Sequence, residues 1–159
     1  MDEEEPTSID AASDPPPAPP EGSLHAHISD TDANMPSIFS EIAELNLWHI
    51  EEQTFLKQGD VVARVAQDVA AGPYVWWLVA LDAEGKEALR HRISSDMNQR
   101  LATRVLSFTW NYVRADGEWE SWCLRFESEE LYAQFTRAIT RALWESANEL
   151  PWAKAKVRV

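Results

Sequence analysis

The sequence predicts a mainly β domain closed by one C-terminal α-helix: a seven-stranded, partly open antiparallel barrel with the helix over one end. Three observations predict it. Seven apolar segments between residues 45 and 127 are separated by turn residues. The dipeptide Asp116-Gly117 joins two strongly alternating segments, and it tolerates the positive φ of a tight turn. From Ser128 onward the apolar residues recur with helical rather than strand spacing.

The first two strands are expected at Leu45 to Ile50 and Thr54 to Lys57, joined across Glu51-Glu52-Gln53. After Gln58-Gly59-Asp60 a third runs from Val61 to Ala66, where Val61, Ala63 and Val65 alternate with Arg64 as in a half-buried strand. Tyr74 to Leu81 contains the longest apolar run, Val75 to Leu81, and reads as a buried strand. A turn at Asp82 to Gly85 leads to Glu87 to Ile93, with Leu89, His91 and Ile93 facing one way and Arg90 and Arg92 the other. The last pair is a hairpin, Val105 to Arg114 and Trp119 to Glu127. Its core-facing residues are Leu106, Phe108, Trp110 and Tyr112 on the first strand, and Trp122, Leu124 and Phe126 on the second.

Ser128 offers an N-cap, and Glu129 and Glu130 fall in the first turn, where the helix dipole favours carboxylates. Leu131, Phe135, Ala138, Ile139, Ala142 and Ser146 gather on one stripe, flanked by Tyr132 and Leu143, so the helix extends to about Asn148 and Pro151 marks its end. Seven antiparallel strands and one terminal amphipathic helix are the elements of the pleckstrin-homology superfold, in which the helix keeps the aromatic core dry at an open barrel end.

A different composition precedes the strands. Residues 1–36 are acidic and Pro-rich, with Asp14-Pro15-Pro16-Pro17-Ala18-Pro19-Pro20 at their centre, and they contain too few large apolar residues to offset their ordering entropy. They are expected to be a disordered leader, a stiff solubilising linker rather than a polyproline ligand. Residues 37–44 are then a short connecting segment in which a helix is allowed, 45–154 the pleckstrin-homology-like domain and 155–159 a tail.

The net charge of -13 comes mainly from the leader, which holds nine carboxylates and no Lys or Arg, leaving -4 for the remainder. That balance gives nucleic-acid binding no electrostatic support. A single cysteine, Cys123, excludes an internal disulfide framework and fits a reducing compartment, and Asp2-Glu3-Glu4-Glu5 is opposite in sign to a secretory n-region. The expected localisation is cytoplasmic.

Five ordered blocks resemble a known family. They are Leu47-Trp48-His49-Ile50, Ile93-Ser94-Ser95-Asp96-Met97-Asn98, Leu106-Ser107-Phe108-Thr109-Trp110-Asn111-Tyr112, Ser121-Trp122-Cys123-Leu124-Arg125-Phe126 and Ala142-Leu143-Trp144-Glu145-Ser146-Ala147-Asn148-Glu149. Over roughly Leu45 to Lys154 the chain resembles the pleckstrin-homology-like domain of the vacuolar import and degradation protein 27 family. The resemblance implies the fold above and a cytosolic role in the selective degradation of metabolic enzymes through vesicles. After Met97-Asn98 the family continues with proline and aromatics, whereas here Gln99-Arg100-Leu101-Ala102-Thr103-Arg104 follows. The family proteins are also longer and carry a C-terminal β-propeller, so this chain is read as a fragment or a stand-alone relative.

No constellation of residues points to catalysis, a cofactor or a metal. His25 and His27 lie in the leader, and His49 and His91 in expected strands, without Cys or Asp at ligand spacing. His91 shares a face with Leu89 and Ile93 and reads as a core histidine with a hydrogen-bond partner. Cys123 falls opposite Trp122 and Leu124; Arg125 on its own face is placed to lower its pKa, but no Cys-His pair accompanies it, and an inert, half-buried thiol is expected. The five glycines are dispersed among turns rather than gathered in a phosphate loop. An enzyme is not expected.

The function expected instead is a protein-interaction or scaffolding module. The alternative is membrane recruitment through anionic lipid, for which Arg90, Arg92, Arg100 and Arg104 offer a basic patch, but the first hairpin carries Glu51 and Glu52 against Lys57 alone and disfavours it. The candidate partner-binding residues are Arg137, Arg141, Trp144 and Asn148, which share the helix face turned away from the apolar stripe. Trp with Arg is the composition enriched at interface hot spots. The competing structural reading packs Trp144 on Trp152, on the N-terminal segment, or against Arg141 through a cation–π contact. The partner's identity and the oligomeric state are not written in these residues.

Overall fold

The computed structural model of the protein describes residues 35–153. The leader through Asn34, including His25 and His27, and the tail at 155–159 lie outside the described residues. Seven strands, β1 (Ser37–His49), β2 (Thr54–Gln67), β3 (Trp76–Leu81), β4 (Glu87–Arg92), β5 (Arg100–Ala102), β6 (Ser107–Val113) and β7 (Trp119–Arg125), precede one helix, α1 (Glu129–Asn148). They form one antiparallel sheet in the order β4-β3-β2-β1-β7-β6-β5, so the first strand is central and β4 and β5 are the edges.

The strand count agrees with the expected one, but the strands are differently composed. Residues 37–44 are not a connector with helical character; they are the first half of β1, paired with β2 from Ser37↔Ala66 to Glu44↔Asp60. Ser40-Glu41-Ile42-Ala43-Glu44 has fair helix propensity, and the ladder to β2 overrides it. The two strands expected at Thr54 to Lys57 and Val61 to Ala66 are one strand. Gln58-Gly59 is a bulge rather than a turn, since the register steps from Leu45↔Gly59 to Asn46↔Lys57 and Gly59 takes φ +146°. β5 was hidden in what reads as a loop, because its three residues are all exposed and carry no alternation. It pairs Leu101 with Phe108.

The domain also begins earlier than expected. Met35 and Pro36 pack against the sheet: Met35 is 2% exposed, its carbonyl accepts from the Arg64 guanidinium at 3.0 Å, and the Pro36 carbonyl accepts the Gln67 N–H at 2.9 Å. Met35, Ala66 and Val79 form a small second cluster, with Trp77 and Leu81 against it.

The main core is aromatic. Phe135 of α1 meets Phe39, Phe108 and Phe126 at ring-centroid distances of 5.3, 5.1 and 4.9 Å, and Trp76 and Trp110 are fully buried beside them. Burying each such ring stabilises the fold by about 2–3 kcal/mol, so the helix that supplies Phe135, Ile139 and Ala142 is held as firmly as the strands. Its ends follow from the sequence: the Ser128 hydroxyl accepts the Leu131 N–H at 3.1 Å, and Glu149 closes the last turn at φ +54°. The buried Tyr132 hydroxyl donates to the Ser107 carbonyl at 3.0 Å and fixes the helix over β6.

Candidate functional site

Where β7 ends, an edge opens. β1 pairs with β7 only from Glu44↔Arg125 to Leu47↔Trp122; beyond Arg125 the chain turns through Ser128 into α1. Residues 37–43 of β1 therefore run past the end of their neighbour and, among the described residues, have a strand, β2, on one side only. On the other side lies α1, and between them is an open groove of about 560 Å³. Residues 37–41 line it together with Gln134, Arg137, Ala138, Arg141 and Trp152. A strand's face contributes alternate residues and its edge contributes consecutive ones, so a wall made of five consecutive residues is backbone edge. Among the described residues, the alternate N–H and C=O groups along that edge have no strand partner.

The helix supplies the charge. Arg137 is exposed and makes no hydrogen bond or ion pair among the described residues. Arg141, one turn on, is not directed fully outward: its guanidinium lies over the Trp76 ring at 5.5 Å from the centroid, and its Nε donates to Glu145 Oε2 at 3.3 Å. Glu145 is 3% exposed, an unusual burial for a carboxylate, and it is fully engaged. Oε1 accepts the Trp76 indole N–H at 3.1 Å, and Oε2 accepts the backbone N–H of Trp152 at 2.8 Å. Those bonds fold the segment after Pro151 back along α1 and place Trp152 in the groove wall.

Of the four residues singled out in the sequence, Arg137 and Arg141 are brought to the groove. Trp144 is half-buried and meets Trp152 edge to face, 5.8 Å between centroids at 77°. It backs the groove through Trp152 rather than lining it, as the structural reading of the sequence expected. Asn148 is exposed, and its side-chain amide donates to the Trp144 carbonyl at 2.8 Å. Residues 37–41 read as a connector in the sequence and Glu145 as part of the polar helix face, so neither is expected at the groove. A signal for Glu145 existed: at 100° per residue it falls about 70° from the centre of the apolar stripe, within reach of the core.

The other polar positions have structural roles. His91 Nδ1 accepts the Trp110 indole N–H at 2.9 Å, and its ring stacks on Tyr112 at 3.7 Å. Burial pushes its pKa down to about 4, so the ring is neutral. Cys123 is 5% exposed, more buried than expected, and burial pushes its thiol up to about 11 despite the hydrogen bond to Ser107 and the nearby Arg125. Of the basic patch considered for lipid, Arg90 is ion-paired to Glu87 and lies 5.7 Å from the Trp77 ring centroid. Among the described residues no group of three or more His, Cys, Asp and Glu is placed to hold a metal ion, and no helix is long and apolar enough to cross a membrane.

Comparison with known proteins agrees with this architecture. A sequence model of the VID27 PH-like domain matches residues 36–146. Vacuolar import and degradation protein 27 of Schizosaccharomyces pombe is 37% identical over 112 residues, which are 70% of this chain and 14% of that protein. The chain thus spans about one-seventh of that relative's length. Among solved structures, the Ran-binding domain of the nuclear complex component Nup2 from Ashbya gossypii superposes with a TM-score of 0.60 over 69% of this chain and 95% of that one, at 13% identity. A second structure of that domain gives 0.57 over 67% and 95%, also at 13% identity. At that identity what is shared is the fold, a pleckstrin-homology-like one.

Proposed function

The chain belongs to the VID27 PH-like domain family, and from that premise we propose that it is a non-catalytic protein-interaction module of a cytoplasmic factor in vacuolar import and degradation. The observation that carries the reading is the groove between the open edge of β1 and α1, which joins backbone groups unpaired among the described residues to an arginine without a partner among them. Backbone edge and helix face together are a recurrent surface for recognising protein segments. The relative's name supplies the process, and the scaffolding of enzymes destined for degradation is the role the family resemblance suggests. Arg137, Arg141, Trp144 and Asn148 are the proposed partner-binding residues, with Arg137 and Arg141 in direct contact and Trp144 holding Trp152 in place.

The test is proximity labelling in cells that express the protein, comparing the unaltered form with Arg137→Ala combined with Trp144→Ala. The expected result is loss of a defined set of neighbours. Chemical denaturation of the isolated chain checks the fold, with Phe135→Ala as a core control expected to destabilise by about 3–5 kcal/mol. An unchanged neighbour set in a folded double variant refutes the reading.

A further inference from the structure

We propose that the groove takes an extended, acidic peptide segment of a partner protein, which adds as a further strand to residues 37–43 of β1 and sets a carboxylate against Arg137 and Arg141. The inference rests on the interaction-module reading and goes beyond it by naming the chemistry of the occupant.

Three features select an extended peptide over a helix or a globular surface. The wall is a strand edge whose alternate N–H and C=O groups have no strand partner among the described residues, and only another extended backbone satisfies such groups in series. The gap is bounded on its far side by α1, so it is a slot for one chain rather than a broad face. Its apolar lining, from Ile38, Phe39, Ala138 and Trp152, provides contacts for alternate side chains of an added strand.

Charge selects the acid. Among the described residues four ionisable groups bear on the slot: Glu41, Arg137 and Arg141 line it, and Glu145 lies beneath Arg141. Glu145 is satisfied by Trp76, Arg141 and the Trp152 backbone, and Arg141 donates to it only through Nε, which leaves the terminal nitrogens for a ligand. Arg137 has no carboxylate partner at all among the described residues. An incoming carboxylate therefore meets two guanidiniums, both able to bind it with charge-assisted hydrogen bonds. Glu41 disfavours an acid at the peptide position beside it, so the carboxylate is read at the helix side of the slot.

The probe is a randomised twelve-residue peptide library displayed on phage and selected on the full 159-residue chain. Peptides recovered are then synthesised and measured by fluorescence anisotropy. The expected result is enrichment of Asp and Glu, binding that weakens with salt, and a loss on the order of tenfold for Arg137→Glu, the size of one charge-assisted contact. Backbone N-methylation, scanned along the peptide, should abolish binding at every second residue, because an added strand turns alternate N–H groups toward β1. Binding insensitive to Arg137→Glu, or an N-methyl scan without that period, overturns the proposal. If no peptide is enriched while Arg137→Ala with Trp144→Ala still changes the neighbours labelled in cells, strand addition is wrong and the interaction module stands. If peptides bind only a chain lacking residues 1–34, the slot's occupant is the protein's own acidic leader, and the assignment to a partner is overturned.

Discussion

The indole of Trp110 donates its N–H to Nδ1 of His91 across 2.9 Å inside the barrel, fixing the imidazole as the neutral tautomer with its proton on Nε2. His91 is 6% exposed, and burial lowers its pKa to about 4 from 6.5. The unfolded chain therefore takes up a proton near pH 6.5 that the folded chain refuses until about pH 4. The stability contributed by the neutral ring is fully present above pH 6.5 and is lost as pH falls toward 4, to a total of about 3 kcal/mol. Denaturation midpoints of the native chain and His91→Leu, measured from pH 7.5 to 4.5, check it. The substitution should cost stability at neutral pH, because Trp110 loses its acceptor, yet the gap between the two proteins should narrow on acidification. A constant gap would show that His91 titrates normally.

Glu145 ties three elements together, β3 through Trp76, its own helix through Arg141 and the C-terminal segment through Trp152. Glu145→Ala leaves a buried indole N–H and a backbone N–H without acceptors and should destabilise the chain by roughly 2–4 kcal/mol. Glu145→Gln retains an acceptor oxygen and should cost less than half of that. Equilibrium unfolding of both variants, beside Trp76→Phe and its combination with Glu145→Ala, measures the coupling. Additive losses would mean that the Trp76 hydrogen bond contributes nothing of its own.

Cys123 should be slow to alkylate in the native protein, since a thiol pushed up to about 11 holds little thiolate at pH 7.5 and its side chain is buried between strands. Iodoacetamide labelling followed by mass spectrometry should show modification that tracks unfolding by denaturant. Rapid labelling without denaturant would contradict the burial.

Much of this architecture was legible because its signals are local. Leu89, His91 and Ile93 alternate with Arg90 and Arg92, and the structure buries the first three. The Ser128 cap and the stripe through Phe135 and Ile139 located α1 to within a residue. What was not legible depends on partners distant in sequence. Residues 37–44 look helical until β2 pairs with them, and Gly59 looks like a turn until Leu45 and Asn46 are seen to share one continuous partner strand. The groove was illegible for the same reason: its edge exists because β7 stops at Arg125, some eighty residues after the strand it exposes, and no pattern within 37–41 announces it. Arg137 and Trp144 were visible as an unusual pair on the polar side of a helix, but only the fold shows that one borders the slot and the other braces Trp152.

The N-terminal boundary gives the last prediction, and it turns on two residues. Removing residues 1–34 should leave the thermal midpoint within about 2 °C of the full chain, because that cut spares every described residue that packs against the sheet. Removing 1–36 takes away Met35 and Pro36 as well. Met35 is 2% exposed against Ala66 and Val79, and full burial of such a side chain contributes about 1.5–3 kcal/mol. Its loss also strips an acceptor from Arg64 and a thioether contact, at 3.0 Å, from Arg90, while the Gln67 N–H loses the Pro36 carbonyl. The midpoint should then fall by roughly 6–15 °C, taking about 3–5 °C per kcal/mol for a domain between the ~100-residue and ~150-residue cases. Met35→Ala in the full chain separates the side chain from the backbone bonds and should give more than half of the drop. Equal midpoints for the two truncations, measured by circular dichroism at matched concentration, would place the boundary of the folded domain at β1 and reduce the Met35 cluster to surface contact.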